Sequence, residues 1–577
     1  MPDLEQALAS IQRKAVSFAE RHKGKLPEAA KDRDRLLAAV RDYESIHEQA
    51  MDPYLSARLL HAWDTRNHEF ARLYRKVREA WSEARGALAF FPLELAALPE
   101  KLLHDLVEDE TFASYRRFLL RLNRQKPYFL SEPEERIVQR QSLAGKKSLE
   151  ERYDSLMGSL AFPVQIDGKR KNLHAAQVLA RRNDPERSVR KRCHQAYMEK
   201  LEANGAVFVS VLNALILDHL REDRLRGYPF PIHRRHMANE ADASVIETMM
   251  KVVERRYPPA RRYFRLKAGS LGLKRLKTFD MSAPIGSAQS MMRISMARKY
   301  ILDAAADFHP LFHSAASSFF ENGWIDTKMR QGKLDGAFCL CFGPGQHPTI
   351  SMNYAGRLRD ALVLAHELGH GIHYRLARKQ TYFNFRPPPI LEEAASTFME
   401  ILLVRHLLEK RTGEVDPGAL MAAHLDGIVT TVSRQNVITR FEQSLYRARQ
   451  DHYLDAEEIC GFWRDENAVL FGKNVDMTPP DRWGWAGVPH IFHRPFYCYA
   501  YVFGNLLAMA LYREWEGGGT AAVEDIIRLL SSGGAEAPVH LLEEMGLTPR
   551  KASFWEDAFT YVEDLIDLFG RFSHIHL

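Results

Sequence analysis

Apolar residues recur at three- and four-residue steps through residues 4–20, 31–49 and 57–88, among many Arg, Glu and Ala. That spacing gathers apolar side chains on one face of a helix, and the composition itself favours helix. The same pattern predicts helices over 110–125, 131–158, 173–182, 185–222, 242–271 and 288–305. The stretch from 53 to 88 is long enough for a helical hairpin or one long helix, and its charges read as the solvated face of a bundle. No repeat of fixed period and no Gly/Ser or Pro linker breaks the run. The charge-rich segment Arg181–Arg192 marks a division at 185, into regions 1–185 and 186–577 of one continuous body. Strand-type residues are concentrated in one place. Ala337–Phe342 and Thr349–Asn353 flank the punctuation Gly343-Pro344-Gly345, which predicts a β-hairpin in a mainly helical chain.

Composition adds mostly exclusions. A length of 577 residues is a prior of about four domains. With 46% hydrophobic and 27% charged residues, the chain is neither disordered nor collagenous. A net charge of +6, from 80 Lys+Arg against 74 Asp+Glu, is too weak to argue for nucleic acid. Five loosely spaced cysteines make no disulfide framework, and a cytoplasmic location is expected. The N-terminal residues show no signal-peptide pattern. The longest nearly uncharged run, Pro495 to Tyr512, holds four tyrosines and falls short of the ~20 apolar residues of a membrane span. It reads as a buried helix, so no membrane association is expected. The one compositional hint of chemistry is the 24 histidines, enough for a metal site without locating it.

Location comes from GRLRDALVLAHELGHGIHYRLARK, residues 356–379, where His366-Glu367-Leu368-Gly369-His370 fits H-E-x-x-H. The four-residue step stacks the two imidazoles on one helix face, within reach of one tetrahedral Zn²⁺ at ~2.0–2.1 Å. Glu367 lies beside that face, near the metal without pointing at it, as a general base for an activated water requires. The motif sits in an apolar run. The alternative, a pair of core histidines without a ligand, has four buried ring nitrogens to satisfy. A third ligand is needed. After Pro387-Pro388-Pro389, which can end a loop and start a helix, come Glu392 and Glu393 and then the small residues Ala394, Ala395 and Ser396, which allow close approach of a second helix. On physical grounds alone, Glu392 and Glu393 remain alternatives.

These motifs resemble the thimet-oligopeptidase family of zinc peptidases, and within it the oligoendopeptidase F branch. HELGHGIH is similar to its H-E-x-G-H-x-x-H signature. Glu393-Ala394-Ala395-Ser396-Thr397 resembles the branch's E-x-A-S-T segment, which selects Glu393 as third ligand. MNYAGRLRDALVLAHE, Lys126-Pro127-Tyr128-Phe129-Leu130-Ser131 with Glu134-Glu135, and VPHIFHRPFYCYAYVFG extend the resemblance over roughly residues 110 to 510. It implies a large, mainly α-helical zincin-type peptidase with a small β-sheet beside a deep substrate cleft, residues 186–577 forming the catalytic part. His373 lies on nearly the same helix face as His370, but its spacing is shorter than that of zincins with a third histidine ligand. It reads as a residue of the cleft wall or around the ligands.

A peptide is an extended chain with unpaired N–H and C=O groups, and an edge strand can bind it by β-augmentation. The resemblance implies that Gly336, Ala337 and Phe338 do this. Cys339 and Cys341 share a side of that strand and read as small buried hydrophobes. The resemblance further implies that a His and Tyr residues near the C-terminus stabilise the oxyanion. The His490-Ile-Phe pattern points to His490. Tyr497 and Tyr501, sharing a helical face at a four-residue step, are favoured over Tyr499. The expected activity is hydrolysis of internal peptide bonds in short oligopeptides with one Zn²⁺. A helical zinc carboxypeptidase and a non-hydrolytic peptide-binding module are the alternatives, and an intact Glu367 argues against the latter. No sequence signal sets an oligomeric state.

Overall fold

The computed structural model describes residues 2–286, 291–410 and 415–572. The chain opens with three long helices, α1 (Pro2–His22), α2 (Arg33–Trp63) and α3 (His68–Leu88). Of the two arrangements expected over 53–88 the helical hairpin is present, but its first arm starts at Arg33 and runs through Pro53. Asp32 caps that arm by accepting from the Arg35 N–H, and Asn67 caps the next by accepting from Glu69 and Phe70. Phe18, Tyr43, Phe90 and Phe91 pack face and edge in the core of this region.

One hairpin is absent from the sequence expectation. β1 (Phe162–Ile166) and β2 (Lys169–Leu173) pair antiparallel around Asp167 and Gly168, both at positive φ. Asp-Gly is a strong two-residue hairpin turn, so the signal was there. The single helix expected over 185–222 is two, α4 (Arg187–Ala203) and α5 (Gly205–Arg226), bent by 64° at Asn204. The Trp483 indole occupies the corner, where a Cβ on Gly205 would lie 2.3 Å from its ring. The helix expected over 242–271 also breaks, at Arg256, because Pro258 and Pro259 cannot continue a helix. Of the 288–305 expectation, residues 288–290 lie outside the described residues, and the helix runs Ile294–Phe308.

The predicted hairpin before the H-E-x-x-H segment is observed as part of a three-stranded sheet. β3 (Ile325–Asp326), β4 (Ala337–Leu340) and β5 (Thr349–Met352) lie in the order β3-β5-β4, so β4 is an edge strand. Next come α6 (Leu358–Leu376), α7 (Pro389–Lys410), α8 (Pro417–Ile428), α9 (Gln435–Arg449), α10 (Tyr499–Ser531) and α11 (Ala552–Phe572). α7 is buried around nearly its whole circumference, between α6 and α10. Both neighbours press on one turn of it through glycine. A Cβ on Gly369 of α6 would lie 2.5 Å from the Ala395 carbonyl oxygen, and one on Gly504 of α10 would lie 2.5 Å from the Glu393 Cβ. The main core runs from Ala241 to Phe569, and a second joins residues 153–220 to residues 438–498. No single helix among the described residues is long and apolar enough to cross a membrane.

The glycine contacts predict opposite signs for one substitution. Gly369→Ala and Gly504→Ala each overpack the α7 contact and should destabilise by about 1–3 kcal/mol. Gly461→Ala, mid-helix with nothing within 4 Å of the added carbon, should stabilise by about 0.4–1 kcal/mol. Chemical-denaturation midpoints of the three variants check the contrast.

Candidate metal centre

α6 starts where the Asp360 carboxylate accepts from the backbone N–H groups of Ala355 and Arg357, at 2.8 and 3.0 Å. Two turns on, His366 and His370 meet edge to face with ring centroids 5.1 Å apart. The close approach of α7 brings Glu393 against both. Its Oε2 lies 3.7 Å from His366 Nε2 and 3.9 Å from His370 Nε2, and the three donor atoms fall within 4.8 Å of one another. Those separations are too long for hydrogen bonds. They are close to the ~3.4 Å edge of a tetrahedron with metal–ligand bonds of ~2.0–2.1 Å. Two imidazoles and one carboxylate with no bond among themselves fit a divalent cation such as zinc. Glu392 is turned elsewhere, toward Tyr374 Oη at 3.3 Å and Arg386 Nη2 at 3.1 Å.

Behind the donors lies a relay that the sequence reasoning missed. His366 Nδ1 is 3.7 Å from Glu400 Oε2, Glu400 Oε1 is 3.1 Å from His424 Nδ1, and His424 Nε2 is 3.0 Å from Tyr561 Oη. Glu400 sits seven residues after Glu393, two turns along the same face of α7, and that step in an otherwise apolar helix was the available signal. Burial would lower the His366 pKa, but the close Glu400 carboxylate and the fields of Glu367 and Glu393 outweigh it and raise it to about 9. Burial raises Glu393 to about 7 against the pull of His366, with Glu392 and Glu367 adding to the rise. Glu400, despite burial, is held down at about 2 by His366 and His424. Burial and the neighbouring His366 push His370 far below its usual range. The cluster thus gathers more buried negative charge than its histidines balance, which suits a cation.

Glu367 is buried beside these donors, and burial raises its pKa. The Cys339 backbone N–H partly offsets the rise, which places strand β4 directly against the Glu367 carboxylate. Gly336, at φ +90°, has open space where a Cβ would be, and Ala337 and Phe338 are half-buried in the edge strand. Cys341 packs with Tyr374, Ala377 and Phe385, and Cys339 lies against the same cluster. His373 is 1% exposed, with neither ring nitrogen hydrogen-bonded, and burial lowers its pKa to about 3.

His490, Tyr497 and Tyr501 come together. The His490 ring stacks on Tyr497 with centroids 5.6 Å apart, and its Nε2 lies 3.3 Å from Tyr501 Oη. Burial and the negative field of Glu393 raise both phenol pKa values, so both stay protonated as donors. Tyr499 is buried elsewhere, its hydroxyl 3.1 Å from His236 Nδ1. The route to this cluster differs from the expectation of one helix over Pro495–Tyr512. α10 begins only at Tyr499, because Phe496 has φ +57° and turns the chain. Tyr497 therefore meets Tyr501 across a turn rather than along a shared helix face.

The model of peptidase family M3 matches residues 181–561, and the model named oligopeptidase F matches residues 94–162. The chain belongs to peptidase family M3. Oligopeptidase PepF of Bacillus subtilis is 24% identical over 555 residues, spanning 95% of this chain and 82% of that protein. Group B oligopeptidase PepB of Streptococcus agalactiae is 24% identical over 529 residues, spanning 89% and 86%. The crystal structure of oligoendopeptidase-F from Enterococcus faecium shares the fold, with a TM-score of 0.76 at 21% identity over 99% of each chain. The motif-level resemblance is therefore a family relation, and M3 membership implies a bound metal and peptide substrates.

The relay behind His366 makes a prediction about metal affinity. Removing a carboxylate that orients a metal-binding imidazole costs about 10–100-fold in affinity. Glu400→Ala should weaken metal binding by that factor, measured by competition with a chromogenic chelator.

Proposed function

We propose that this M3 peptidase is a zinc-dependent endopeptidase of short oligopeptides, with one zinc ion held by His366, His370 and Glu393. The observation that carries the reading is the meeting of these three donors within 4.8 Å, with buried Glu367 next to them and an edge strand alongside. A zinc ion bound there supplies Lewis acidity, acidifying water and polarising a carbonyl. The peptide extends along β4, and the backbone of Gly336, Ala337 and Phe338 pairs with it largely without regard to side chains. Glu367 takes the proton of the attacking water and passes it to the leaving amine. His490 and the protonated phenols of Tyr497 and Tyr501 donate hydrogen bonds to the developing oxyanion. The names of the relatives, oligopeptidase and oligoendopeptidase, support short peptides and internal cleavage. Five unpaired cysteines, four of them buried, support a reducing cytoplasm.

Glu367→Gln should keep about one zinc per chain and lose kcat by about 10²–10⁴-fold. Metal analysis beside a quenched-peptide assay measures both, and unchanged turnover would sink the role of Glu367. Glu393→Ala should empty the site of zinc while Glu392→Ala retains it; the reverse order would reassign the third ligand. On a defined peptide, mass spectrometry should find chelator-sensitive internal cuts, with casein left intact. Stepwise loss from the C-terminus would make the protein a carboxypeptidase.

A further inference from the structure

The turn that delivers Tyr497 is held by two buried groups that play no part in the chemistry proposed above. Phe496 has φ +57°, a left-handed conformation that bulky residues adopt only when their surroundings impose it. Its ring is 1% exposed and packs on Tyr446 with centroids 4.6 Å apart. Its backbone N–H donates at 2.8 Å to Oε1 of Glu442, on α9, a carboxylate with no solvent exposure whose other oxygen has no hydrogen-bond partner. Burying a carboxyl group for one backbone bond is costly, and such a group calls for an explanation beyond packing. One residue earlier, the Pro495 carbonyl accepts at 3.1 Å from Arg235 Nε, and the same guanidinium lies 5.6 Å from the centroid of the Tyr497 ring. The Arg494 guanidinium lies 5.4 Å from that centroid. The Tyr497 N–H donates to the Arg494 carbonyl at 3.0 Å, and the Tyr497 carbonyl accepts from Ala500 at 2.9 Å, so the turn runs straight into α10.

We propose that Glu442 and Arg235 are positioning residues for Tyr497. They clamp the Arg494–Tyr497 turn from two sides, one holding the Phe496 N–H and the other the Pro495 carbonyl. The left-handed turn then presents the Tyr497 ring to His490 and Tyr501. Without the Glu442 acceptor the Phe496 N–H is orphaned in the core and the turn relaxes toward ordinary dihedrals, taking the phenol out of place. This rests on the reading of Tyr497 as an oxyanion donor.

The test compares Glu442→Met, Glu442→Gln, Arg235→Met, Tyr497→Phe and the double variants Glu442→Met/Tyr497→Phe and Arg235→Met/Tyr497→Phe in the full-length, zinc-loaded protein. Readouts are kcat and KM on a quenched-fluorescent peptide, zinc content, and affinity for a phosphinic peptide that mimics the tetrahedral state. Glu442→Met and Arg235→Met should each lower kcat and phosphinate affinity by about 10–100-fold, with KM within about threefold and zinc content unchanged. Glu442→Gln, whose amide oxygen still accepts, should stay within about threefold of the parent. In the Tyr497→Phe background neither substitution should cost anything more, because the group they aim is already gone. Parental kcat in folded Glu442→Met and Arg235→Met overturns the clamp, as does full additivity with Tyr497→Phe, which only general structural damage would give. Parental kcat in Tyr497→Phe itself overturns the role of Tyr497, and the clamp with it. Should Glu442→Met fail to fold, the half-buried Arg235 carries the same cycle alone.

Discussion

The site depends on one close contact, the turn Glu393–Ser396 of α7 gripped between Gly369 and Gly504. Neither glycine can carry a side chain without driving its helix away from α7. Gly369 adjoins His370, and Gly504 lies three residues beyond Tyr501, so each contact is within one turn of a side chain of the candidate site. Ala394, Ala395 and Ser396 are small for the same reason. The interhelical distance is therefore set by backbone touching backbone, which is stiffer than contact through side chains that can repack. A carboxylate on α7 and two imidazoles on α6 meet with their donor atoms within 4.8 Å of one another because nothing soft lies between their helices.

That contact creates an electrostatic problem. α7 is buried on nearly every side yet carries Glu393 and Glu400 on one face. A buried carboxylate is tolerated only with a partner of opposite charge or several hydrogen bonds. Glu400 has a hydrogen bond from His424 and the nearby charge of His366, and is held ionised. Glu393 has neither in full, so burial drives its pKa upward and leaves it the natural site for a cation. The relay from Glu400 through His424 ends on Tyr561 in α11, which ties the last described helix to the orientation of His366. The large main core, reaching from Ala241 to Phe569, supplies the dry surroundings in which these few charges act strongly on one another.

The sequence disclosed the features that depend on local spacing. His366 and His370 share a face by a four-residue step, β4 and β5 flank a Gly-Pro-Gly punctuation, and Glu393 follows a helix start signalled by three prolines. Features made by distant partners were hidden. The corner between α4 and α5 is filled by Trp483, nearly three hundred residues away in sequence from Gly205. The late start of α10 follows from a left-handed Phe496 whose N–H is bound by Glu442 on another helix. His424 gives no sign in sequence that it will meet Glu400. Two omissions were not of this kind. Asp167-Gly168 and Pro258-Pro259 are local signals, and reading them would have given the β1–β2 hairpin and the break at Arg256.

The edge strand shows why so much helix surrounds so small a sheet. An unpaired edge is a liability unless it is held in place and kept from other chains. β4 is fixed on one side by β5, but its approach is held by the N-terminal region. At the α2–α3 turn, Thr65 N–H donates to the Gly332 carbonyl at 2.7 Å and the Ala62 carbonyl accepts from Leu334 at 2.8 Å. Arg66 reaches the Gln331 carbonyl at 2.9 Å. Beyond the strand, Gln346 donates to Asp52 on α2 at 2.9 Å. From the other side, buried Lys333 donates to the carbonyls of Asp326 and Met352, lacing the loop to β3 and β5. The segment before β4 and the turn after it are thus anchored to helices some three hundred residues earlier in the chain, while the outer edge of β4 is left unpaired by any described strand. A strand held at both ends keeps its register while its outer backbone edge stays free of other described strands, and the helices that hold it are those of the N-terminal region.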